Sequence, residues 1–407
     1  MRNDVLVFQG YRKPPAPPLV VFSGSPPLSR YNPHLYFLLP TPTMTQPSSE
    51  YTAQLQQKAG YLKQRFAEFS PPEWQVFASP EKHYRMRAEF RVWHDGDSIS
   101  YAMFEPGQKA GSASLRRIDS LPAASAAINA VMPRLLAAVQ ADPLLRERWY
   151  QCEFLSTLSG DMLVGMIYHK RLCGQWQAAA ARLQRELGIM IIGRSRGQKL
   201  VLAQDFVTER LHADGRDWLY RQYEGGFSQP NALVCQKMLD WACGAAAGLG
   251  GDLLELYCGN GNFTLPLARY FRRVLATELS KTSVQAAQWN IEANGAANIR
   301  LARLSAEEFT QAYQGVRRFR RLQEQGIGLA DYAFSTVFVD PPRAGIDDAT
   351  LRLLQNFDNI IYVSCNPETL HANLATLTQT HRIERAALFD QFPFTPHIES
   401  GVLLRRR

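Results

Sequence analysis

The stretch LLELYCGNGNF, Leu253–Phe263, is a short apolar run that ends in a glycine-rich turn. An apolar run of this length, interrupted here only by Glu255, is typical of a strand buried on both faces. Gly259 and Gly261 allow the backbone to pass close to a ligand, and a following helix would offer unpaired N–H groups. A dinucleotide fingerprint has a third glycine, which is absent from Asn262-Phe263-Thr264. The stretch therefore predicts a ligand site without identifying the ligand.

The same alternation of apolar strands and helices fills residues 206–407, with further strands in RVLATEL, STVFVDPPRAG and NIIYVSCNPETL. It predicts βαβ units in a doubly wound parallel α/β sheet. Residues 44–205 alternate hairpin signals with helical stretches, which predicts an α+β domain. Residues 1–43 are Pro-rich and lack any period, so we predict a disordered extension, with Met44 as the alternative start.

Composition restricts the class of protein. The 407 residues carry a formal charge of +8, which favours a polyanionic partner without requiring one. The six cysteines show no spacing typical of a zinc or iron–sulfur site, so we predict no metal, no iron–sulfur cluster and a reduced, cytoplasmic protein. No apolar stretch has the length of a membrane span, and no membrane partner is expected.

Polar residues follow two more of the predicted strands. Glu278 ends RVLATEL at the distance where such folds place a carboxylate on a ribose diol, which dinucleotides and S-adenosylmethionine both present. Asp340 ends STVFV, and Pro341-Pro342 then stiffen the backbone where a planar ring would lie. Arg343 is placed to meet a phosphate or a carbonyl of the substrate.

The stretch IIYVSCNPETL, Ile360–Leu370, brings Cys365 to the same edge of the sheet. We expect Arg343 or a helix N-terminus to make this thiol more reactive than a free one. A thiolate that adds to C6 of uracil makes C5 nucleophilic towards a methyl group, and a base must then remove the C5 proton. Glu399 and His397, in a predicted hairpin at the sheet edge, are the candidate bases.

Together these residues resemble the tRNA (uracil-5-)-methyltransferase family, from Met44 to the C-terminus. The matching motifs are HYRMRAEF, FSQPN, LLELYCGNGNF, FVDPPRAG, SCNPETL and DQFPFTPHIESG. The resemblance implies a class I, Rossmann-like methyltransferase domain preceded by an RNA-binding domain. The expected reaction is S-adenosylmethionine-dependent methylation of C5 of uridine 54 in the T-loop of tRNA. The expected partners are the T-arm of tRNA and other T-arm-like RNAs, and separately we expect the protein to be a monomer.

The resemblance also implies roles for single residues. Cys365 would be the nucleophile and Glu399 the general base. The expected S-adenosylmethionine site consists of Gln229, Tyr257, Asn262, Glu278 and Asp340. The expected RNA contacts are Arg85, Arg87, Arg91, Tyr150 and Arg343, since arginine pairs with phosphates and tyrosine stacks on a flipped base.

Several alternatives stay open. A ribosomal-RNA uracil-5-methyltransferase would share the sheet and the thiol, although the subtype with an N-terminal iron–sulfur cluster is disfavoured because no cysteine precedes Cys152. A nicotinamide-dependent oxidoreductase would explain Glu278 but not Cys365. A non-catalytic RNA-binding protein would explain the charge alone. The basic segment GVRRFRRLQEQG, Gly315–Gly326, is either a further RNA contact or a solvated helix, and we favour the helix.

Overall fold

The computed structural model of the protein describes residues 47–104, 111 and 114–407. The predicted Pro-rich extension, residues 1–43, and the alternative start Met44 lie outside these ranges. Within them, no helix combines the length and the apolar character needed to cross a membrane.

The N-terminal region contains a seven-stranded sheet. The elements of this region are α1 (Ser49–Arg65), β1 (Trp74–Phe77), β2 (Arg87–Asp95), β3 (Ser98–Phe104), β4 (Leu115–Ile118), α2 (Ala126–Ala141), α3 (Pro143–Arg146), β5 (Trp149–Ser156), β6 (Met162–Tyr168), α4 (Gly174–Leu187), β7 (Met190–Ser195) and β8 (Gln198–Val201). The strand order is β4-β3-β2-β5-β6-β7-β8, and β6 with β7 is its parallel pair. Helices α2 and α4 pack on one face, against residues such as Phe90 and Phe154.

The C-terminal region contains an eight-stranded sheet. The elements of this region are β9 (Phe206–Ala213), β10 (Arg216–Tyr223), α5 (Ala232–Ala246), β11 (Asp252–Leu256), α6 (Thr264–Leu267), β12 (Arg273–Thr277), α7 (Lys281–Ala293), β13 (Ile299–Ala302), α8 (Ala306–Tyr313), α9 (Arg320–Glu324), β14 (Phe334–Val339), α10 (Asp348–Leu354), β15 (Asn359–Ser364), α11 (Pro367–Leu377), β16 (His381–Phe389) and β17 (Glu399–Arg406). The strand order is β1-β16-β17-β15-β14-β11-β12-β13. Strands β9 and β10 form a separate hairpin.

The predicted doubly wound sheet is confirmed. Five strands run parallel to one another, in the order β13-β12-β11-β14-β15. Strand β17 runs antiparallel to both of its neighbours, β15 and β16. The hairpin predicted near the C-terminus is present as β16 and β17. The prediction that this hairpin lies at the sheet edge is wrong, because β1 pairs with β16 and forms the edge of the sheet.

Two apolar clusters cover the two faces of this sheet. Strands β11 and β15 are buried along their whole length. Successive side chains of a strand point to opposite faces, so Leu253 packs with α5 and α7 while Leu254 packs with α8, α10 and α11. Each such side chain contributes about 1.5–3 kcal/mol by leaving water. Burial on both faces explains why these stretches of the sequence are mainly apolar.

Helix α1 and strand β1 pack on the C-terminal sheet, although they precede the N-terminal one in the chain. Strand β1 pairs in parallel with β16, with Trp74 opposite Ala386. Leu62 of α1 and Phe66, which follows it, join the apolar cluster of α10 and α11. The domain boundary at residue 205 stays a prediction. The chain crosses between the two sheets twice, once between β1 and β2 and once between β8 and β11.

A buried ion pair fastens α1 to the loop that follows β16. Lys58 Nζ donates to Asp390 Oδ1 at 2.7 Å and to the Phe392 carbonyl at 3.0 Å. Tyr51 Oη donates to Asp390 Oδ2 at 2.8 Å. Both Lys58 and Asp390 are buried, so each charge depends on its protein partners rather than on water.

Replacing Lys58 by methionine removes the ammonium group and leaves the Asp390 carboxylate buried. We expect Lys58→Met to lower the free energy of unfolding by about 3–5 kcal/mol. Lys63→Met changes an exposed lysine of the same helix and should stay within about 0.5 kcal/mol of the parent. Urea denaturation followed by circular dichroism measures both variants. Equal unfolding free energies would contradict a stabilising role for the pair.

Candidate active site

A cleft of about 980 Å³ lies at the carboxyl ends of β11, β12, β14 and β15. Strands β11 and β14 are neighbours in the sheet. After β11 the chain crosses to β12 on one side, and after β14 it crosses to β15 on the other side. Such a reversal leaves a crevice at the strand ends. Nine residues with predicted roles line the cleft, namely Arg85, Gln229, Tyr257, Asn262, Glu278, Asp340, Arg343, Cys365 and Glu399. The other three, Arg87, Arg91 and Tyr150, lie outside its lining. The structure thus brings together both catalytic candidates and all five cofactor candidates.

The turn after β11 holds three residues in the left-handed region, Tyr257 with φ of 61°, Gly259 with 57° and Gly261 with 82°. For a tyrosine this conformation costs about 1–3 kcal/mol, and it persists where the surroundings enforce it. A Cβ added at Gly259 would meet nothing within 4 Å. The backbone of the turn therefore borders open space in the cleft.

Glu278 is fixed at the end of β12 by two backbone donors. Its Oε2 accepts from Gly259 N at 3.0 Å, and its Oε1 accepts from Ser280 N at 2.6 Å. Ser280 also caps the N-terminus of α7. The carboxylate thus has a defined position beside the glycine turn, as binding of a ribose diol requires.

Two amide side chains extend the site. Gln229 Nε2 lies 3.5 Å from Asp340 Oδ2, and Gln229 Oε1 accepts from Gln391 Nε2 at 3.1 Å. Asn262 Nδ2 donates to Cys235 Sγ at 3.3 Å. The sequence reasoning missed Gln391, although it lies in the motif DQFPFTPHIESG, and Cys235, for which no signal existed because it resembles any small core residue.

The residues after Cys365 turn the chain from strand into helix. Asn366 caps α11, since its side chain accepts from Glu368 N at 3.1 Å. Its Nδ2 donates to the Arg343 carbonyl at 3.0 Å, which ties this loop to the preceding one. Pro367 occupies the first turn of α11, where the missing N–H leaves no hydrogen bond unmade.

The thiol and the two carboxyls of the cleft all have raised pKa values, and burial is the largest cause in each case. Burial raises the pKa of Cys365 to about 11, and the carboxyls of Glu399 and Asp340 add to the rise. Arg343 lowers this pKa by less, so the expectation of a more reactive thiol is wrong for the free protein. Burial likewise raises the pKa of Asp340, and burial followed by the charge of Asp340 raises that of Glu399. A cation bound among these three groups would favour their ionised forms.

Glu399 and His397 occupy different environments. Glu399 begins β17 and is buried, with 6% of its surface exposed. His397 is exposed, and the partial loss of water followed by the charge of Arg343 lowers its pKa. A base that removes a proton from carbon works better when water is excluded, which favours Glu399 of the two.

The predicted RNA contacts separate into three groups, which are Arg85 with Arg343 in the cleft, Arg91 with Tyr150, and Arg87 alone. Arg85 lies in the cleft, 5.7 Å from the centre of the Phe392 ring. Arg91 and Tyr150 lie on neighbouring strands of the N-terminal sheet, with the guanidinium 4.2 Å from the ring centre. Tyr150 also stacks on His169 at 3.8 Å, a residue that the sequence reasoning missed.

Arg87 points inward, to the loop that carries Gln229. Its Nη2 donates to the Gly226 carbonyl at 2.7 Å. Burial lowers the pKa of its guanidinium. Arg87 therefore joins strand β2 of the N-terminal sheet to a wall of the cleft.

The family model described as tRNA (Uracil-5-)-methyltransferase matches residues 50–407. The chain belongs to this family. A tRNA/tmRNA (uracil-C(5))-methyltransferase of Neisseria meningitidis serogroup A is 68% identical over 359 residues, 88% of this chain and 99% of that protein. One of Acinetobacter baylyi is 59% identical over 357 residues, with the same coverage of 88% and 99%. The crystal structure of Pyrococcus abyssi tRNA (uracil-54, C5)-methyltransferase with S-adenosyl-L-homocysteine shares the fold, with a TM-score of 0.65 at 22% identity over 87% of this chain and 83% of that one.

The protein is therefore an S-adenosylmethionine-dependent methyltransferase of uracil C5 in tRNA. The cleft fits the cofactor, because the fixed carboxylate of Glu278 suits a ribose diol, and the half-buried carboxyl of Asp340 with the buried carboxyl of Glu399 suits a positively charged sulfonium. The oxidoreductase and the non-catalytic alternatives are wrong. In the described ranges, no three His, Cys, Asp or Glu side chains are arranged to hold a metal ion.

The raised pKa of Cys365 predicts slow alkylation at neutral pH. With a pKa of about 11, its reaction with iodoacetamide should rise about tenfold per pH unit between about pH 7 and pH 10. Cys173 is an internal control, because backbone N–H groups at the start of α4 lower its pKa. Mass spectrometry of the two peptides should show Cys173 reacting at lower pH. The reverse order would contradict the electrostatic description of the cleft.

The position of Arg87 predicts an effect on cofactor binding. Arg87→Met removes the donor that holds Gly226, so we expect the Kd for S-adenosylmethionine, measured by calorimetry without RNA, to rise at least about threefold. Arg87→Lys keeps one donor and should recover part of the loss. Arg91→Met, on the same face of β2, should keep the parent Kd. An unchanged Kd in Arg87→Met would show that Gly226 does not depend on this bond.

Proposed function

We propose that the protein methylates C5 of uridine 54 in the T-loop of tRNA through a covalent bond between Cys365 and C6 of the uracil. The observation that carries the proposal is that Cys365 and the buried Glu399 line one cleft with a glycine turn and Glu278. A nucleophile, a base and a cofactor site within one cleft are what methyl transfer to an unreactive ring carbon requires.

The Cys365 thiol gives its proton to water, and the thiolate Sγ adds to C6, which makes C5 an enolate carbon. S-adenosylmethionine, when bound, supplies a methyl group on a positively charged sulfonium. C5 takes this methyl group as the bond from the methyl carbon to sulfur breaks, and the electron pair of that bond stays on sulfur as a neutral thioether. The Glu399 carboxylate then removes the C5 proton. The electron pair of that C–H bond restores the C5–C6 double bond while the C6–sulfur bond breaks, so Cys365 leaves as a thiolate.

The cofactor is held, in this proposal, by residues on both sides of the glycine turn. Glu278 would accept both hydroxyls of the ribose diol. The other residues are Gln229, Tyr257, Asn262 and Asp340, all of which line the cleft. The sulfonium, close to Asp340 and Glu399, would favour their ionised forms and so prepare Glu399 to accept the C5 proton.

The RNA approaches the cleft from the side of the N-terminal sheet in this proposal. Arg85 and Arg343 would meet the flipped uridine, since both line the cleft. Arg91 and Tyr150 would contact nucleotides outside it. Removing a base from its stack costs a few kcal/mol, about as much as two or three such contacts return.

We also propose that the protein acts as a monomer in the cytoplasm. All six cysteines are free, as expected in a reducing compartment. Light scattering of the pure protein would test the monomer, with a mass near 46 kDa expected against twice that for a dimer.

A trapped adduct tests nucleophile, base and position together. We expect the protein, S-adenosylmethionine and tRNA with 5-fluorouridine at position 54 to give a complex that survives denaturing electrophoresis, because fluorine cannot leave as a proton. Cys365→Ala should give none. Glu399→Gln should accumulate the complex even with ordinary uridine, because the C5 proton stays in place.

Two results would count against the proposal. A complex formed only when the fluorouridine lies at another position would exclude uridine 54. The absence of any complex with folded, cofactor-binding protein would exclude the covalent route.

A further inference from the structure

A second pocket, of about 610 Å³, lies on the N-terminal sheet outside the cleft. It is formed by the loop after β6 and the turn between β7 and β8, and we name it the basic pocket. His169, Lys170 and Arg171 line it from the loop, and Arg196 with Gln198 line it from the turn. Catalysis as proposed above does not use it.

The charges of the basic pocket are largely uncompensated. Arg171 and Arg196 are exposed, and across the described ranges neither pairs with a carboxylate. Lys170 Nζ lies 3.0 Å from Glu147 Oε2, so of these three cations only Lys170 has a carboxylate partner among the described residues. Such a surface attracts a polyanion.

The shape of the basic pocket is fixed before any ligand binds. Gln198 Oε1 accepts from Leu172 N at 2.9 Å and from Ser195 Oγ at 2.7 Å. Gln198 Nε2 donates to the Leu172 carbonyl at 3.3 Å. The loop and the turn are thus joined at the wall of the pocket, so little ordering is needed on binding.

A continuous surface joins the basic pocket to the proposed RNA contacts. His169 belongs to the pocket and stacks on Tyr150 at 3.8 Å, and Tyr150 contacts Arg91. Arg91 lies four residues along β2 from Arg87, about 13 Å at about 3.3 Å per residue. Arg87 in turn contacts Gly226 in the wall of the cleft. The basic pocket therefore lies beyond Arg91 and Tyr150 as seen from the cleft, several nucleotides away from a base bound at Cys365.

We propose that the basic pocket binds backbone phosphates of the tRNA stem that carries the methylated loop. Arginine pairs bidentately with phosphate, and paired RNA is recognised mainly through its backbone. The identity of the bound stem follows from the proposed function, and to that extent the inference rests on it. It adds a contact outside the loop, through which the enzyme would select RNA with a helix in the right place.

The other basic segment, Gly315–Gly326, offers a contrast. Arg320 Nε lies 2.7 Å from Glu324, and Arg321 Nη2 lies 2.6 Å from Glu308. Arg317 lies over the Phe319 ring at 4.9 Å. These arginines already have partners within the protein, in agreement with the solvated helix that we favoured from the sequence.

The test compares two variants that lose the same charge. Binding of full-length tRNA is measured across about 50–200 mM salt for the parent, for Arg171→Gln/Arg196→Gln and for Arg317→Gln/Arg320→Gln. If each pocket arginine neutralises one phosphate, the pocket variant should lose about 1.4–1.8 from the slope of log affinity against log salt. The control variant should keep the parent slope. The Kd for S-adenosylmethionine, measured without RNA, confirms that the cleft is intact.

A second RNA distinguishes the stem from the loop. With a T-arm hairpin whose stem is cut to two base pairs, the parent and the pocket variant should show the same slope, because the phosphates that reach the pocket are gone. Equal slopes for the parent and the pocket variant with full-length tRNA would overturn the proposal. A loss of slope in the control variant equal to that in the pocket variant would also overturn it, because the effect would then come from net charge alone. The binding measurement does not depend on which uridine is methylated, so a failure of uridine 54 as the target would be recognised separately.

Discussion

A strand buried on both faces can present polar chemistry only where it ends. Strands β11 and β15 are buried along their whole length, so the glycine turn and Cys365 lie at their carboxyl ends. Parallel neighbours end at the same edge, which brings Glu278 and Asp340 to the same cleft. The position of the site thus follows from burial of the sheet, and the loops supply its chemistry.

Burial also determines when the chemistry is available. Burial raises the pKa of the Cys365 thiol and of the Asp340 and Glu399 carboxyls. The two carboxyls add to the rise for Cys365, and Asp340 adds to the rise for Glu399. The free protein therefore keeps Cys365 mainly as the thiol, which resists oxidation better than a thiolate. A positive charge bound beside these groups reverses the balance. In this way, the reactivity of Cys365 depends on occupation of the cleft rather than on a permanently activated cysteine.

The sequence predicted the doubly wound sheet, its strand ends and the nine residues that meet in the cleft, because those features follow from local alternation and from motifs. It did not predict that β1 pairs with β16, since a pairing between Trp74 and Ala386 leaves no local signal. The pKa of Cys365 was predicted in the wrong direction. That direction depends on the balance of burial, two carboxyls and Arg343, which only the folded distances decide.

Arg87 and Arg91 show that strand alternation predicts which face a residue occupies but not which groups it contacts. Both lie on the face of β2 opposite the buried Ala88 and Phe90, so alternation gives them the same orientation. The neighbours at each point along the strand differ. Beside Arg87 the N-terminal sheet meets the loop that carries Gln229, and the guanidinium donates a hydrogen bond to the Gly226 carbonyl. Four residues on, the sheet faces outward and the guanidinium lies over Tyr150. Identical residues on one face of one strand thus have different partners, a backbone carbonyl in the wall of the cleft in one case and an aromatic ring of the N-terminal sheet in the other.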